Sequence, residues 1–260
     1  MASAIVGGLL AKNFAASQFH VVEVNAARCR ELRDNYGVTA AQSAGGELAS
    51  CDVLVIAVKP EQARDAAQSM HPYLNKQLVI TIAAGIRLGD LSRWLGGYQN
   101  LVRAMPNTPA LIHAGVTGLY TLPAVNATDR ERAATLMNAV GETVWVENES
   151  QLDAVTAVSG SGPAYVFYFI EALEQAAQEL GMTPAQARKL ALHTFTGAAR
   201  LAAQSEESPA ALRAKVTSKG GTTERALSVM EGAQVREKFV DAIKSAAARS
   251  RELGEEFGKD

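Results

Sequence analysis

The rhythm of apolar residues changes near residue 150, and that change constrains the fold more than any other feature. Up to about Asn148, short apolar runs alternate with helix-like stretches; beyond about Leu152 no strand-like run remains. Asp52 to Val58 is almost unbroken, with Val, Leu, Val, Ile, Ala and Val in sequence. Such a run predicts a strand buried on both faces of a parallel sheet. Gln77 to Ala83 repeats the pattern and closes at Gly85. His20 to Val24, Asn100 to Ala104, Gly115 to Tyr120 and Glu142 to Val146 read as further strands. Helices are predicted over Ala27 to Asn35, Gln62 to Met70, Leu88 to Leu95 and Asp129 to Val140. Strands alternating with helices predict βαβ units, and so an α/β domain with a doubly wound, mainly parallel sheet over residues 1–150.

Residues 151–260 predict an all-helical domain. Pro163 to Leu180 reads as one long helix, with Pro163 in its first turn and Gly181 as its stop. Its opening turns carry Tyr165, Val166, Phe167, Tyr168, Phe169 and Ile170. A helix apolar nearly all round is buried all round, and in so small a domain that calls for a partner subunit. Thr183 is the expected N-cap of the next helix, to Gln204, with Pro184 at its first position. Pro209 to Val216, Thr223 to Glu231 and Val235 to Gly254 complete the set, and the tail from Glu255 is expected to fray.

Composition mainly excludes. A formal net charge of -2 gives no electrostatic footprint for nucleic acid. No apolar run approaches the roughly 18 residues of a membrane-spanning helix, and the N-terminus shows no secretory pattern. Cys29 and Cys51 fit no metal-binding spacing, and reduced thiols in the cytoplasm are the expectation. His20, His71, His113 and His193 are scattered, so no metal site is expected.

Chemistry concentrates in Val216-Thr217-Ser218-Lys219-Gly220-Gly221-Thr222-Thr223, just before a helix-like run. Glycines let backbone N–H groups approach a ligand, and a helix start offers unpaired donors with partial positive charge. Ser218, Gly220, Gly221, Thr222 and Thr223 therefore form a candidate cradle for a small carboxylate. The plainer reading is a glycine turn with a hydroxyl N-cap. The segment from Val216 to Glu231 resembles the signature of the pyrroline-5-carboxylate reductase family. Ala57-Val58-Lys59-Pro60, Ala83-Ala84-Gly85, Met105-Pro106-Asn107-Thr108-Pro109 and Ser159-Gly160-Ser161-Gly162-Pro163-Ala164-Tyr165 follow the same family in order. Several motifs at matching spacing are more specific than any one alone.

The resemblance implies a Rossmann-like dinucleotide-binding domain, an all-helical dimerisation and substrate-binding domain, and an oxidoreductase acting on a CH–NH bond. The implied reaction is hydride transfer from NADPH, with NADH as an alternative, to the C=N bond of 1-pyrroline-5-carboxylate, giving L-proline. The carboxylate is assigned to the N–H groups of Gly220 to Thr223 and the Ser218 hydroxyl, and Thr223 to the ring nitrogen as the catalytic hydroxyl. Glu206 aligns near a family acidic residue close to the site. Ala57, Val58, Lys59 and Pro60, with Ala83, Ala84 and Gly85, are expected along the cofactor, and Asn107 by the nicotinamide. Asn25, ending the His20 to Val24 strand, and Arg28 suit a ribose 2′-phosphate better than a carboxylate would, which favours NADPH; Asn25 also suits a helix cap. The family implies an interlocked homodimer, with further assembly to a decamer of dimers.

Met1 to Leu10 reads as the helix that follows a first strand and glycine loop, which family members carry directly before it. Gly7 and Gly8 are expected to serve close packing of this helix on the sheet. The expectation is a sheet without its first strand and weak nucleotide binding, with a misplaced start preferred over natural loss of affinity. Two rivals remain. A β-hydroxyacid dehydrogenase would need a positioned lysine, for which Lys189 and Lys215 are available. A dimeric scaffold that has lost nucleotide binding is the non-enzymatic alternative.

Overall fold

The apolar runs do become strands. In chain order the first part gives α1 (Ala2–Ala11), β1 (His20–Val22), α2 (Ala26–Tyr36), β2 (Thr39–Ala41), β3 (Val53–Ile56), α3 (Ala63–Met70), β4 (Leu78–Thr81), α4 (Leu88–Trp94), β5 (Leu101–Met105), β6 (Gly115–Thr121), α5 (Ala127–Asn138) and β7 (Gly141–Trp145). The helical part gives α6 (Gln151–Val155), α7 (Gly162–Glu179), α8 (Pro184–Gln204), α9 (Pro209–Lys215), α10 (Thr222–Gly232) and α11 (Val235–Phe257). These elements come from a computed structural model that describes residues 1–259.

The sheet is in two pieces. β1 and β2 pair in parallel, and β3-β4-β5-β6-β7 form a separate five-stranded sheet. Within the larger piece β3, β4 and β5 run parallel, β6 runs antiparallel to β5, and β7 runs parallel to β6. Double-sided burial holds for β4, whose four residues are all buried. It does not hold for β3, where Val55 is exposed because β3 lies at the edge of its sheet. The pleat sends alternate residues to two cores. Leu78, Ile80 and Val102 pack with Ile5, Leu9 and Met137 on one face. Val79 and Leu101 pack with Ala67, Leu91 and Trp94 on the other. Helices thus cover both faces, as a doubly wound sheet requires. Gly8 serves close packing, but against the chain just before β7: an added Cβ would stand 2.6 Å from the Ala139 carbonyl oxygen.

The chain divides into two compact units, one of residues 1–161 with the chain from 245 onward, the other of residues 162–244. The first unit keeps α6 because Leu152 is buried there and a Cβ on Gly118 of β6 would meet Val155 at 2.6 Å. It takes back the end of α11, where Ser250 and Gly254 are buried. The tail expected to fray from Glu255 instead continues α11 to Phe257, which packs against the first unit's core.

In the second unit Thr183 caps α8 as expected, accepting from the Gln186 N–H, while the Gln186 side chain accepts from the Thr183 N–H. Tyr165 and Phe169 of α7 meet Phe239 of α11 edge to face at centroid distances of 5.7 and 5.5 Å. Yet the fully buried residues of α7, α8, α9 and α10 are only Ala187 and Ala191. Val166, Phe167, Tyr168, Leu190, Leu201, Val229 and Met230 are exposed. An apolar surface this extensive on a helical unit marks an association face.

Candidate functional site

The two groups of candidate residues fall in different units, and each is described by itself. In the first unit Ala57 to Pro60 follow β3 and Ala83 to Gly85 follow β4. These strands are parallel neighbours with Ile56 opposite Thr81, so both stretches lie at carboxyl ends, where open α/β sheets bind ligands. Ala57 and Val58 are half-buried and Lys59 is exposed. Lys59 precedes the short 3-10 turn Pro60–Gln62, whose first bond runs from the Gln62 N–H to the Lys59 carbonyl at 2.9 Å. Its visible role is therefore a backbone one. Ala83 is buried, with its N–H bonded to the Thr81 hydroxyl at 3.2 Å, and Ala84 is half-buried. Gly85 is buried at φ +78°, a conformation that favours glycine.

Asn107 follows β5, the next parallel strand, and is buried. Its amide oxygen accepts from the Val116 N–H at 2.9 Å and its NH2 donates to the Ser159 carbonyl at 3.1 Å. Asn107 thus ties β5 to β6 and to a π-helical turn at Thr156–Gly160. That turn is a form often found at functional sites, and no residue pattern in Thr156–Gly160 distinguishes it from an ordinary helical turn. A Cβ on Gly160 would meet the Met105 methyl at 2.7 Å, a contact the flexible end of that side chain can relieve.

At the carboxyl end of β1, Asn25 caps α2 by accepting from the N–H groups of Ala27 and Arg28 at 2.9 and 3.1 Å. Arg28 is exposed, and its guanidinium makes no hydrogen bond or ion pair among the described residues. The cap reading of Asn25 is realised, and Arg28 is left available to an anion.

In the second unit, Gly220 has φ +73°, and Gly221 is the N-cap of α10, with no side-chain cap. The cradle is narrower than four consecutive N–H groups. The Gly220 N–H is taken by the Glu224 carboxylate at 2.6 Å and the Gly221 N–H by the Ser218 carbonyl at 3.0 Å. Thr222 and Thr223, as the first two residues of α10, keep N–H groups without an acceptor among the described residues. Thr223 is half-buried while Ser218 and Thr222 are exposed. Gly221 allows the Ser218 hydroxyl to fold in, because a Cβ there would lie 2.5 Å from it. Glu206 is exposed between α8 and α9. Lys215 pairs with Glu207 at 2.6 Å and Lys189 is exposed on α8, so neither stands as a poised acid.

Neither cysteine offers a nucleophile. Cys29 is buried with its thiol donating to the Glu23 carbonyl. Burial first, then the Glu47 and Asp52 carboxylates, push the Cys51 thiol up, away from the reactive thiolate.

The chain matches the family profile described as pyrroline-5-carboxylate reductase dimerisation over residues 149–253. Residues 1–85 match the profile described as NADP oxidoreductase coenzyme F420-dependent. A pyrroline-5-carboxylate reductase of Pseudomonas aeruginosa is 40% identical over 260 residues, covering 100% of this chain and 95% of that protein. The structure of a pyrroline-5-carboxylate reductase from Coxiella burnetii superposes with a TM-score of 0.92 at 39% identity, covering 97% of this chain and 94% of that one. The Plasmodium falciparum pyrroline carboxylate reductase with NADP bound superposes with a TM-score of 0.85 at 29% identity, with the same coverage of 97% and 94%. With a relative this similar over its whole length and a superposition this close, this chain belongs to the pyrroline-5-carboxylate reductase family.

Proposed function

We propose that this chain is a nicotinamide-dependent reductase of 1-pyrroline-5-carboxylate that forms L-proline. The observation that carries the reading is the open start of α10, in a chain alike over its full length to named reductases of this substrate. The net change is one hydride and one proton across a C=N bond. The nicotinamide supplies the hydride when bound. The chain's own task is to hold a small anion, fix its ring and present its nitrogen in a protonated or hydrogen-bonded form. The Thr222 and Thr223 N–H groups receive the carboxylate, with the Ser218 hydroxyl, Gly220 and Gly221 shaping the turn beneath it. The Thr223 hydroxyl bonds the ring nitrogen.

The first unit suits a dinucleotide. Small residues at Ala57, Ala83, Ala84 and Gly85 leave room at the strand ends, with Val58, Lys59 and Pro60 forming the neighbouring turn. Asn107 holds β5 and β6 in register beside them. Arg28 and Asn25 favour NADPH over NADH. Arg28→Ala is expected to raise KM for NADPH about tenfold, the size of a lost charged hydrogen bond, and to leave KM for NADH unchanged. Equal effects on both nucleotides would remove Arg28 from the 2′-phosphate.

The expected division of 1–150 for nucleotide and 151–260 for substrate and dimerisation is redrawn along the compact units, residues 1–161 with 245 onward for nucleotide and 162–244 for substrate and dimerisation. The apolar helical surface supports a homodimer, and a decamer of dimers is the larger assembly to look for by light scattering. No helix among the described residues is long and apolar enough to cross a membrane; the cytoplasm is the proposed compartment. The function is tested by NADPH oxidation with 1-pyrroline-5-carboxylate. A folded dimer without activity would favour the scaffold.

A further inference from the structure

The Ala83–Gly85 loop is covered by a part of the chain far from it in sequence. Phe257 lies 3.1 Å from where a Cβ on Gly85 would stand, and the Gly254 backbone nitrogen 3.6 Å. Gly254 makes the approach possible, since a Cβ there would fall 3.3 Å from the Gly85 carbonyl oxygen and 3.0 Å from Arg87 Nε. Around this contact the Arg87 guanidinium donates to the Arg251 carbonyl at 3.2 Å, and Arg93 donates to the Gly258 carbonyl at 2.8 Å. One turn earlier the Ser250 hydroxyl donates to Asp153 at 2.8 Å. Ser250, Gly254 and Phe257 recur at helical spacing, so one face of α11 carries the side-chain and close-packing part of the contact. A glycine inside a helix weakens it. Its presence where the loop carbonyl passes points to the loop as the reason.

We propose that the end of α11, through Gly254 and Phe257, positions the Ala83–Gly85 loop for the nicotinamide nucleotide. These are positioning residues: they act through the loop and touch no substrate. The proposal rests on reading that loop as part of the cofactor site.

The test separates positioning from stability. Gly254→Ala improves helix propensity but crowds Arg87 Nε and the Gly85 carbonyl, so a merely structural role lowers the thermal midpoint while leaving NADPH affinity unchanged. Positioning predicts that the same variant weakens NADPH about tenfold, or ~1.4 kcal/mol by the affinity relation, because the added methyl presses on the Gly85 carbonyl. Phe257→Ala removes the ring from behind Gly85 and is expected to act in the same direction. Binding is measured by calorimetric titration of the full chain with NADPH alone, and KM for 1-pyrroline-5-carboxylate is expected to move little. Parent-like NADPH affinity in both variants would overturn the proposal. Ala84→Glu, placed on the loop itself, is the control. If it weakens NADPH and the two α11 variants do not, only the positioning role fails. If it leaves NADPH binding intact, or the parent binds none, the cofactor reading fails and this proposal with it.

Discussion

Thr223→Ala is expected to lower kcat for pyrroline-5-carboxylate reduction about a hundredfold, the lower range for a positioned proton-handling group, with the fold intact. Thr223 is the second residue of α10 and its cap is Gly221, so the side chain is not needed to start the helix. Alanine is the better helix former, so the thermal midpoint should hold or rise slightly. What disappears is the hydroxyl of a half-buried residue beside the unpaired N–H groups of Thr222 and Thr223 at the helix start. Those N–H groups survive the substitution, so the carboxylate keeps its main partners and KM should change less than kcat. That split marks an interaction made chiefly in the transition state. Thr223→Ser, which restores the hydroxyl, should recover most of the turnover. Steady-state kinetics at saturating nucleotide decide it: an unchanged kcat in the alanine variant removes the hydroxyl from the chemistry.

Arg103→Ala is expected to destabilise the first unit by about 3 kcal/mol, the lower end for breaking a buried ion pair. Arg103 is 4% exposed in the middle of β5, and its guanidinium meets Glu149 Oε1 at 3.1 Å. The same oxygen accepts the N–H of Leu88, the first residue of α4, at 2.7 Å. One carboxylate therefore neutralises a buried cation and closes a helix start. The Glu149 side chain is 23% exposed, so water compensates part of the loss. The thermal midpoint should fall by about 6–12 °C for a unit of this size, compared at equal protein concentration because association adds its own stabilisation. Glu149→Gln, which keeps an oxygen for Leu88, should cost less than Glu149→Ala. A midpoint within a degree or two of the parent would mean that Arg103 finds another partner when the pair is broken.

The strands were legible where burial leaves a compositional trace. The run at Gln77 announced β4 because a strand buried on both faces needs apolar residues on both; the run at Asp52 announced β3 but overstated its burial, since Val55 faces outward. β2 left no such trace: it is three residues, Thr39–Ala41, with only the middle one buried. The reversal of β6 was invisible because parallel and antiparallel strands share a two-residue period. The helix caps were legible, since Thr183 and Pro184 act locally. The fate of the tail was not, because Phe257 is ordered by Gly85, a partner far away in sequence. Within the candidate site, the glycines and hydroxyls named the loop before α10. Only geometry showed that Glu224 and Ser218 already occupy two of its donors. Asn107 was visible as a residue of interest, while its bridge between Val116 and Ser159 depended on strands the sequence could not orient.

The return of α11 to the first unit makes the second unit an insertion in the chain of the first. A ribosome delivers residues in order, so the sheet emerges long before the helical turns that cover Gly85. At ~5–20 residues per second, the chain between 161 and 245 takes about 4–17 s to appear. Through that interval the nascent sheet has its strands but lacks the last piece of its own core. Completion of the first unit waits on synthesis of the second, so the loop at the end of β4 gains its backing only after the helices that associate with a partner have left the ribosome.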